Sequence, residues 1–196
     1  FILFSQIFFS KIKIIYPSLT IFASILPLYF VATSSEYRLS RIETWLSRKC
    51  DLGIDLLGDC FQLNQSRIAI SSGGLFGLGP GTSRARWGSL PNSYSDFISS
   101  IIGEEYGFFG LFLLVLAFFI LISTTFLIAI REKNEIKKLI SVGFGSWIFF
   151  QTVINLGGAV GIVPITGIVL PFVSYGSSAM ISIFIALGIM YSRDYE

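Results

Sequence analysis

The sequence predicts an all-α, polytopic membrane protein with about four transmembrane helices, a partial one, and a large outer loop containing short or re-entrant helices. Two observations carry this reading. Apolar residues make up 53% of the chain and charged residues 13%, with a mean hydropathy of +0.75, whereas a soluble domain is about one quarter charged. The apolar residues also fall into windows near the roughly 20 residues that a helix needs to cross a bilayer. The chain is therefore read as a single integral-membrane domain over 1–196, with 34–106 as a large extracytoplasmic loop.

Residues 1–10 are apolar but too few to span, which predicts the tail of a helix that starts upstream. The first full span is 16–33 and the second 107–130. A third, 139–163, is interrupted by Gly143, Gly145, Gln151, Asn155, Gly157 and Gly158 yet remains long enough to cross. There Gln151 and Asn155 share a face, as do Gly157 and Gly161. Small residues at that spacing let helices approach closely, and buried amides then bridge them. The last span is 175–191. Within the outer loop, 65–78 is moderately apolar but short and Gly-rich. It predicts a partly buried, re-entrant or membrane-lying segment, because irregular backbone at membrane depth persists only against protein or water. Trp45 and Trp87, both in that loop, read as interfacial anchors.

Orientation follows from Lys and Arg in the short loops, which mark the cytoplasmic side. Lys11 and Lys13 precede the first span, and Arg131, Lys133, Lys137 and Lys138 separate the second from the third. Both loops are therefore inside, as is the 193–196 tail, and 34–106 is outside. The outer loop carries Arg38, Arg41, Arg48, Lys49, Arg67, Arg84 and Arg86, nearly balanced by Glu36, Glu43, Asp51, Asp55, Asp59, Asp96, Glu104 and Glu105. Loops beyond about 60 residues translocate regardless of charge, so these bases do not conflict with the assignment.

A net charge of +2 without a basic stripe argues against nucleic acid as a partner. The chain has no histidine, which removes Ser/His and Cys/His nucleophilic chemistry and leaves carboxylates, Lys, Arg, Tyr or backbone groups. Cys50 and Cys60 lie in one loop, open either to a disulfide in an oxidising compartment or to two free thiols. The chain starts at Phe1 and shows no signal peptide ahead of its first apolar stretch, so it reads as a fragment.

One carboxylate stands out. The run Leu90-Pro91-Asn92-Ser93-Tyr94-Ser95-Asp96-Phe97-Ile98 sets Asp96 where an apolar stretch begins, and a membrane-edge charge is costly to desolvate and a functional candidate by default. Asp96 is also placed to cap the helix that begins at Phe97. A helix N-terminus would lower its basicity unless burial offsets the dipole.

Two ordered sets of residues carry a resemblance. The first is Asn155, Gly157, Gly158, Gly161, Pro164, Gly167 and Pro171, followed by Ser174-Tyr175-Gly176-Ser177-Ser178-Ala179. The second comprises Arg41-Ile42-x-x-Trp45-Leu46, Phe61-Gln62-x-x-Gln65-Ser66, Ser72-Gly73-Gly74-Leu75-Phe76-Gly77-x-Gly79, Leu90-Pro91 through Asp96-Phe97-Ile98, and Glu104-Glu105-x-Gly107. Together they resemble the signature of the shape, elongation, division and sporulation family, the FtsW/RodA/SpoVE proteins, over about 41–191. The likeness corresponds to the carboxy-terminal part of a ten-helix protein. Where that family commonly has Pro-Glu-x-His-Thr-Asp, this chain has Pro91-Asn92-Ser93-Tyr94-Ser95-Asp96, and Ser177 stands where Gly is usual. Thr166 leans towards RodA and the Gly79-Pro80-Gly81-x-Ser83 stretch towards FtsW.

The resemblance implies a multi-pass plasma-membrane peptidoglycan glycosyltransferase, acting in cell division or cell-shape maintenance. Such an enzyme polymerises lipid II with inversion on the outer face and works with a class B penicillin-binding protein. Asp96 matches the family's essential aspartate and would take the acceptor hydroxyl proton. Arg67, Arg84 and Arg86 are the candidates for holding pyrophosphate, since guanidinium groups clamp phosphate oxygens; the alternative for each is a pair with a loop acid. Gln65, Glu104 and Asn155 complete the candidate substrate-binding set, with helix-start charge the alternative for Glu104 and packing for Asn155. If the stretch from Asp96 were helical, the eight-residue interval to Glu104 would place it about 80° around from Asp96, so no contact between them is implied. No cofactor is definite; a divalent cation is left open. A lipid II flippase and a non-catalytic scaffold of the division or elongation machinery are the alternatives from other classes.

Overall fold

Seven α-helices make up the regular structure of this computed structural model, which describes residues 2–10, 15–53, 57–58 and 60–191. Lys11, Lys13, Asp55, Asp59 and the 193–196 tail lie outside them. In chain order the helices are α1 (Ile2–Phe9), α2 (Ile15–Thr33), α3 (Glu36–Leu46), α4 (Phe61–Ser72), α5 (Ile98–Arg131), α6 (Glu135–Val160) and α7 (Ser177–Tyr191), with a short 3-10 turn at Ala85–Trp87. Among the described residues, α5 and α6 are long and apolar enough to cross a membrane on length and composition. The apolar helices α2 and α7 are shorter, at 19 and 15 residues.

A helix stands at the position of the predicted partial helix and of each of the four predicted spans, with boundaries that local chemistry explains. Helix α6 begins at its cap, where Asn134 Oδ1 accepts from the N–H groups of Ile136 and Lys137 at 3.0 and 3.4 Å. It ends at Gly161, whose φ of 85° provides the left-handed turn that closes a helix. Helix α6 is the centre of the bundle, packing against α1, α4, α5 and α7. Close approach there depends on Gly143, where an added Cβ would lie 2.4 Å from Gln6 Nε2, and Gly145, 3.2 Å from Thr125 Cγ2. Gln6 of α1 donates from that amide to the Leu139 carbonyl at 3.1 Å.

Helix α5 starts at Ile98 rather than Gly107 because its first residues are buried against loop rather than left for lipid. Phe97 and Ile101 join Ala69, Ala85, Leu90 and Ala159 in one apolar cluster. The helix is broken at Gly107 (φ 65°, ψ −158°). In an unbroken helix the N–H groups of Phe108 and Phe109 would bond to the carbonyls of Glu104 and Glu105. Here those two carbonyls accept from Leu78 and Gly79, each at 3.0 Å, while Phe108 and Phe109 donate to the carbonyls of Gly74 and Leu75 at 2.9 and 3.2 Å. The Gly-rich segment after α4 thus inserts into the break and satisfies both sides of it. Of the 65–78 segment, residues 65–72 are regular helix in α4, and the irregular backbone that follows is paired with protein.

Cys50 and Cys60 are disulfide-bonded, and Cys60 is fully buried. Closing a loop over a sequence separation of 10 restricts the unfolded chain by about 2–3 kcal/mol in the chain-entropy account. Cys50→Ser is expected to lower unfolding free energy by that amount in denaturant titration, with wild type under reducing conditions behaving alike.

Candidate functional site

Two irregular segments, joined to one another by hydrogen bonds, build the surroundings of Asp96. The first is the turn before α5, where the Asn92 carbonyl accepts from the N–H groups of Ser95 and Asp96 at 3.2 and 3.0 Å. Asn92 itself sits at φ 55°. The second is the chain between α6 and α7, which carries Pro164, Gly167 and Pro171. Ser174 Oγ donates to the Ser95 carbonyl and accepts from Leu170 N–H; the Tyr175 N–H donates to the Tyr94 carbonyl at 3.0 Å. The two family-like motifs are therefore one structural unit.

Amides of α6 hold this unit from below. Asn155 Nδ2 donates to the Asp96 carbonyl at 2.9 Å and to the Ile168 carbonyl at 2.7 Å. Gln151 Nε2 donates to the Val169 carbonyl at 2.9 Å. The pair shares a face as the spacing predicts, but it bridges to the irregular backbone instead of a second helix. Asn155 is 4% exposed, so Asn155→Leu leaves two carbonyls without their donor and is expected to cost on the order of 2–4 kcal/mol, read as lowered thermostability in detergent.

The backbone of Asp96 is thus fully engaged while its carboxylate is not. Among the described residues, no hydrogen-bond donor or cation pairs with that carboxylate. The residue at the α5 N-cap position is Phe97, and no side-chain cap bond is made there. The carboxylate faces a groove of about 400 Å³ also lined by Arg38, Arg41, Gln62, Asn92 and Thr166. Arg41 donates to Gln62 Oε1 at 3.0 Å and to the Ile165 carbonyl at 3.2 Å, tying α3, α4 and the α6–α7 segment around the groove. Gly167 (φ 70°) forms the near wall, its hypothetical Cβ 3.5 Å from Asp96 Oδ2.

Arg67 lies in an adjoining groove of about 560 Å³, which shares Arg41, Pro164 and Ile165 with the first. Its Nη1 is 2.7 Å from Asp51 Oδ1 and its Nε donates to the Val160 carbonyl at 3.0 Å. A cation at the C-terminus of α6 complements the helix dipole. Trp45 Nε1 donates to the Gly161 carbonyl at the same helix end, at 3.3 Å, and Gly161 has no room for a side chain against Arg67 Nη2.

The remaining expected residues sit elsewhere. Arg84 and Arg86 are exposed and line neither groove, with Arg86 stacked over the Trp87 ring at 5.6 Å. Gln65 lines neither groove; Gln62, one turn earlier on α4, lines the first. Glu104 is 2% exposed and accepts from Ser83 Oγ at 2.6 Å and from Ala85 N–H at 3.1 Å, fastening the turn ahead of Asp96. Arg38 and Arg41, read from the sequence only as loop bases and a motif position, are the cations that share the groove with Asp96. Their spacing of three on a short amphipathic helix was the available signal.

The sequence model of the FtsW/RodA/SpoVE family, described as cell cycle protein, matches residues 1–196. A probable peptidoglycan glycosyltransferase FtsW from Wigglesworthia glossinidia brevipalpis is 37% identical over 175 residues, which is 88% of this chain and 45% of that protein. Stage V sporulation protein E of Bacillus subtilis is 40% identical over 165 residues, covering 82% of this chain and 44% of the relative. A chain from a solved structure, described as "Structural coordination of polymerization and crosslinking by a peptidoglycan synthase complex", superposes with a TM-score of 0.66 and 25% identity, covering 97% of this chain and 52% of that one. The chain spans about half the length of these relatives. With the family model matching residues 1–196 and the two motifs meeting at Asp96, the chain belongs to the FtsW/RodA/SpoVE family of polytopic membrane proteins.

Proposed function

We propose that this chain carries the catalytic half of an inverting peptidoglycan glycosyltransferase that polymerises lipid II. The observation that carries the reading is the Asp96 carboxylate, held by its backbone and turned, without a protein partner, into a groove with Arg38, Arg41 and Gln62. Joining a sugar hydroxyl to an anomeric carbon, with departure of a lipid pyrophosphate, needs a base at the attacking oxygen and cations at the leaving group. Asp96 takes the hydroxyl proton. Arg38 and Arg41 line the same groove, and Arg67 lines the adjoining one. An apolar cleft of about 930 Å³, lined by Phe8, Phe118, Phe119, Phe126, Phe149 and Val153, shares Ile162 and Val163 with the Arg67 groove. That juxtaposition suits a substrate with a charged head and a long apolar tail.

On this reading 1–196 is one integral-membrane domain in the plasma membrane and 34–106 is its extracytoplasmic loop. Arg131, Lys133, Lys137 and Lys138 at the α5–α6 turn support that orientation, as does a disulfide in the opposite loop. The likeness to a chain of a peptidoglycan synthase complex supports a class B penicillin-binding protein as partner. Among the described residues no three acidic, Cys or His side chains converge to cage a divalent cation, so no step is assigned to one.

The test is polymerisation of fluorescent lipid II by the chain reconstituted in liposomes with its transpeptidase partner. Glycan strands that depend on Asp96 are the expected product. Translocation of lipid II without polymer would make the protein a flippase, and neither product would make it a scaffold.

A further inference from the structure

We propose that Asp96 and Asn155 hold one ordered water molecule between them, in a recess that adjoins the substrate groove. Three observations converge on it. The Asn155 amide has a fixed orientation, because Nδ2 already faces two carbonyls, of Asp96 and Ile168, which can only accept. Its Oδ1 is therefore an acceptor, and it is buried with no donor from the protein. A buried acceptor left in that state costs about 1–3 kcal/mol, and ordered water is the usual remedy.

A place for that water exists. Asp96, Asn155, Gly158, Thr166 and Gly167 line a small recess of about 10 Å³ that adjoins the groove through Asp96, Thr166 and Gly167, close to the lower limit of roughly 10–15 Å³ for a single water. Two of its lining residues, Gly158 and Gly167, are glycines and leave open the space that a side chain would take. The groups available to the ligand, Asn155 Oδ1 and the Asp96 carboxylate, are both acceptors. The ligand must therefore donate two hydrogen bonds, which a water does and a chloride or a second carbonyl does not. A hydrogen bond donated to the Asp96 carboxylate restrains its rotation. Asn155 is on this account a positioning residue twice over, through Nδ2 to the Asp96 backbone and through Oδ1 to the water. The significance for proton transfer rests on the reading of Asp96 as the base; the water site itself does not.

Gly158→Ala tests it without disturbing the fold. The added Cβ meets nothing nearer than the Ile165 Cα and the Pro164 carbonyl oxygen, both at 3.9 Å, and Gly158 lies within α6 where alanine is favoured. Crystal structures of the full chain, wild type and Gly158→Ala, at a resolution that shows ordered waters, are the measurement. Wild type is expected to show a density peak about 2.6–3.2 Å from Asn155 Oδ1. In Gly158→Ala the peak is expected to be gone and the Asp96 carboxylate rotated. No peak in wild type, in a map that shows other interior waters, overturns the site; an Asp96 side chain that keeps its rotamer in the variant overturns the positioning role. Neither result depends on enzymatic activity, so a failed polymerisation assay and a failed water site are distinguishable.

Discussion

Asp96→Asn is expected to reduce glycan polymerisation by about 10²–10⁴-fold, the range that a positioned general base contributes, while leaving the fold unchanged. The argument rests on which atoms of Asp96 hold the structure together. Its N–H bonds to the Asn92 carbonyl and its carbonyl accepts from Asn155; asparagine keeps both. The side chain makes no cap for α5 and no ion pair among the described residues, so the helix-capping role that the sequence also allowed predicts a loss of stability the structure gives no reason to expect. Thermal unfolding in detergent should agree with wild type to within about 0.5 kcal/mol, while strand formation from lipid II collapses. An Asp96→Asn protein that still polymerises at the wild-type rate would remove the base from the proposed mechanism. A protein that loses stability in step with activity would return Asp96 to a structural role.

Hydropathy and local chemistry made most of the scaffold legible. The apolar windows placed the helices, the glycines at 73–79 announced irregular backbone after α4, and two separated motifs pointed to one site. Less visible were the features that depend on which loop meets which helix. Residues 98–106 fall in the predicted outer loop, yet they are the first turns of α5, and the polar Ser99, Ser100, Glu104 and Glu105 among them are buried. Ser66 Oγ donates to the Ala159 carbonyl and takes a hydrogen bond from Ser100, joining α4, α5 and α6 in the interior. Among the arginines, sequence could not rank Arg67, Arg84 and Arg86 against Arg38 and Arg41. Proximity to Asp96 is set by the path of α3 and the return of the chain after α6, neither of which leaves a local signature. Glu104 shows the same limit: a carboxylate near a helix start has several uses, and only the position of the Ser83–Ala85 turn shows which atoms it binds.

The helix break at Gly107 offers the sharpest stability test, because three glycines of the inserted segment separate steric from conformational cost. Gly73 has ordinary helical φ, but an added Cβ would lie 1.9 Å from the Gly103 carbonyl oxygen. Gly74 is the converse: φ is +55° with nothing within 4 Å. Gly77 combines both, with φ +82° and a Cβ 2.1 Å from the Glu105 carbonyl oxygen. Left-handed backbone costs a non-glycine residue roughly 1–2 kcal/mol, and overpacking a closed contact roughly 1–3 kcal/mol or more. Gly74→Ala should therefore lose only about 1 kcal/mol. Gly73→Ala should lose more, since the obstacle is backbone that cannot rotate aside, and Gly77→Ala should exceed about 3 kcal/mol. In Gly77→Ala the insert must withdraw from Glu105, which strands the Glu104 and Glu105 carbonyls together with the N–H groups of Phe108 and Phe109. Those four groups are then left without their partners, and each buried group so stranded costs about 1–3 kcal/mol. The expected order of thermostability is wild type, Gly74→Ala, Gly73→Ala, Gly77→Ala. Equal losses for Gly74→Ala and Gly77→Ala would mean that backbone conformation alone matters and that the segment does not plug the broken helix.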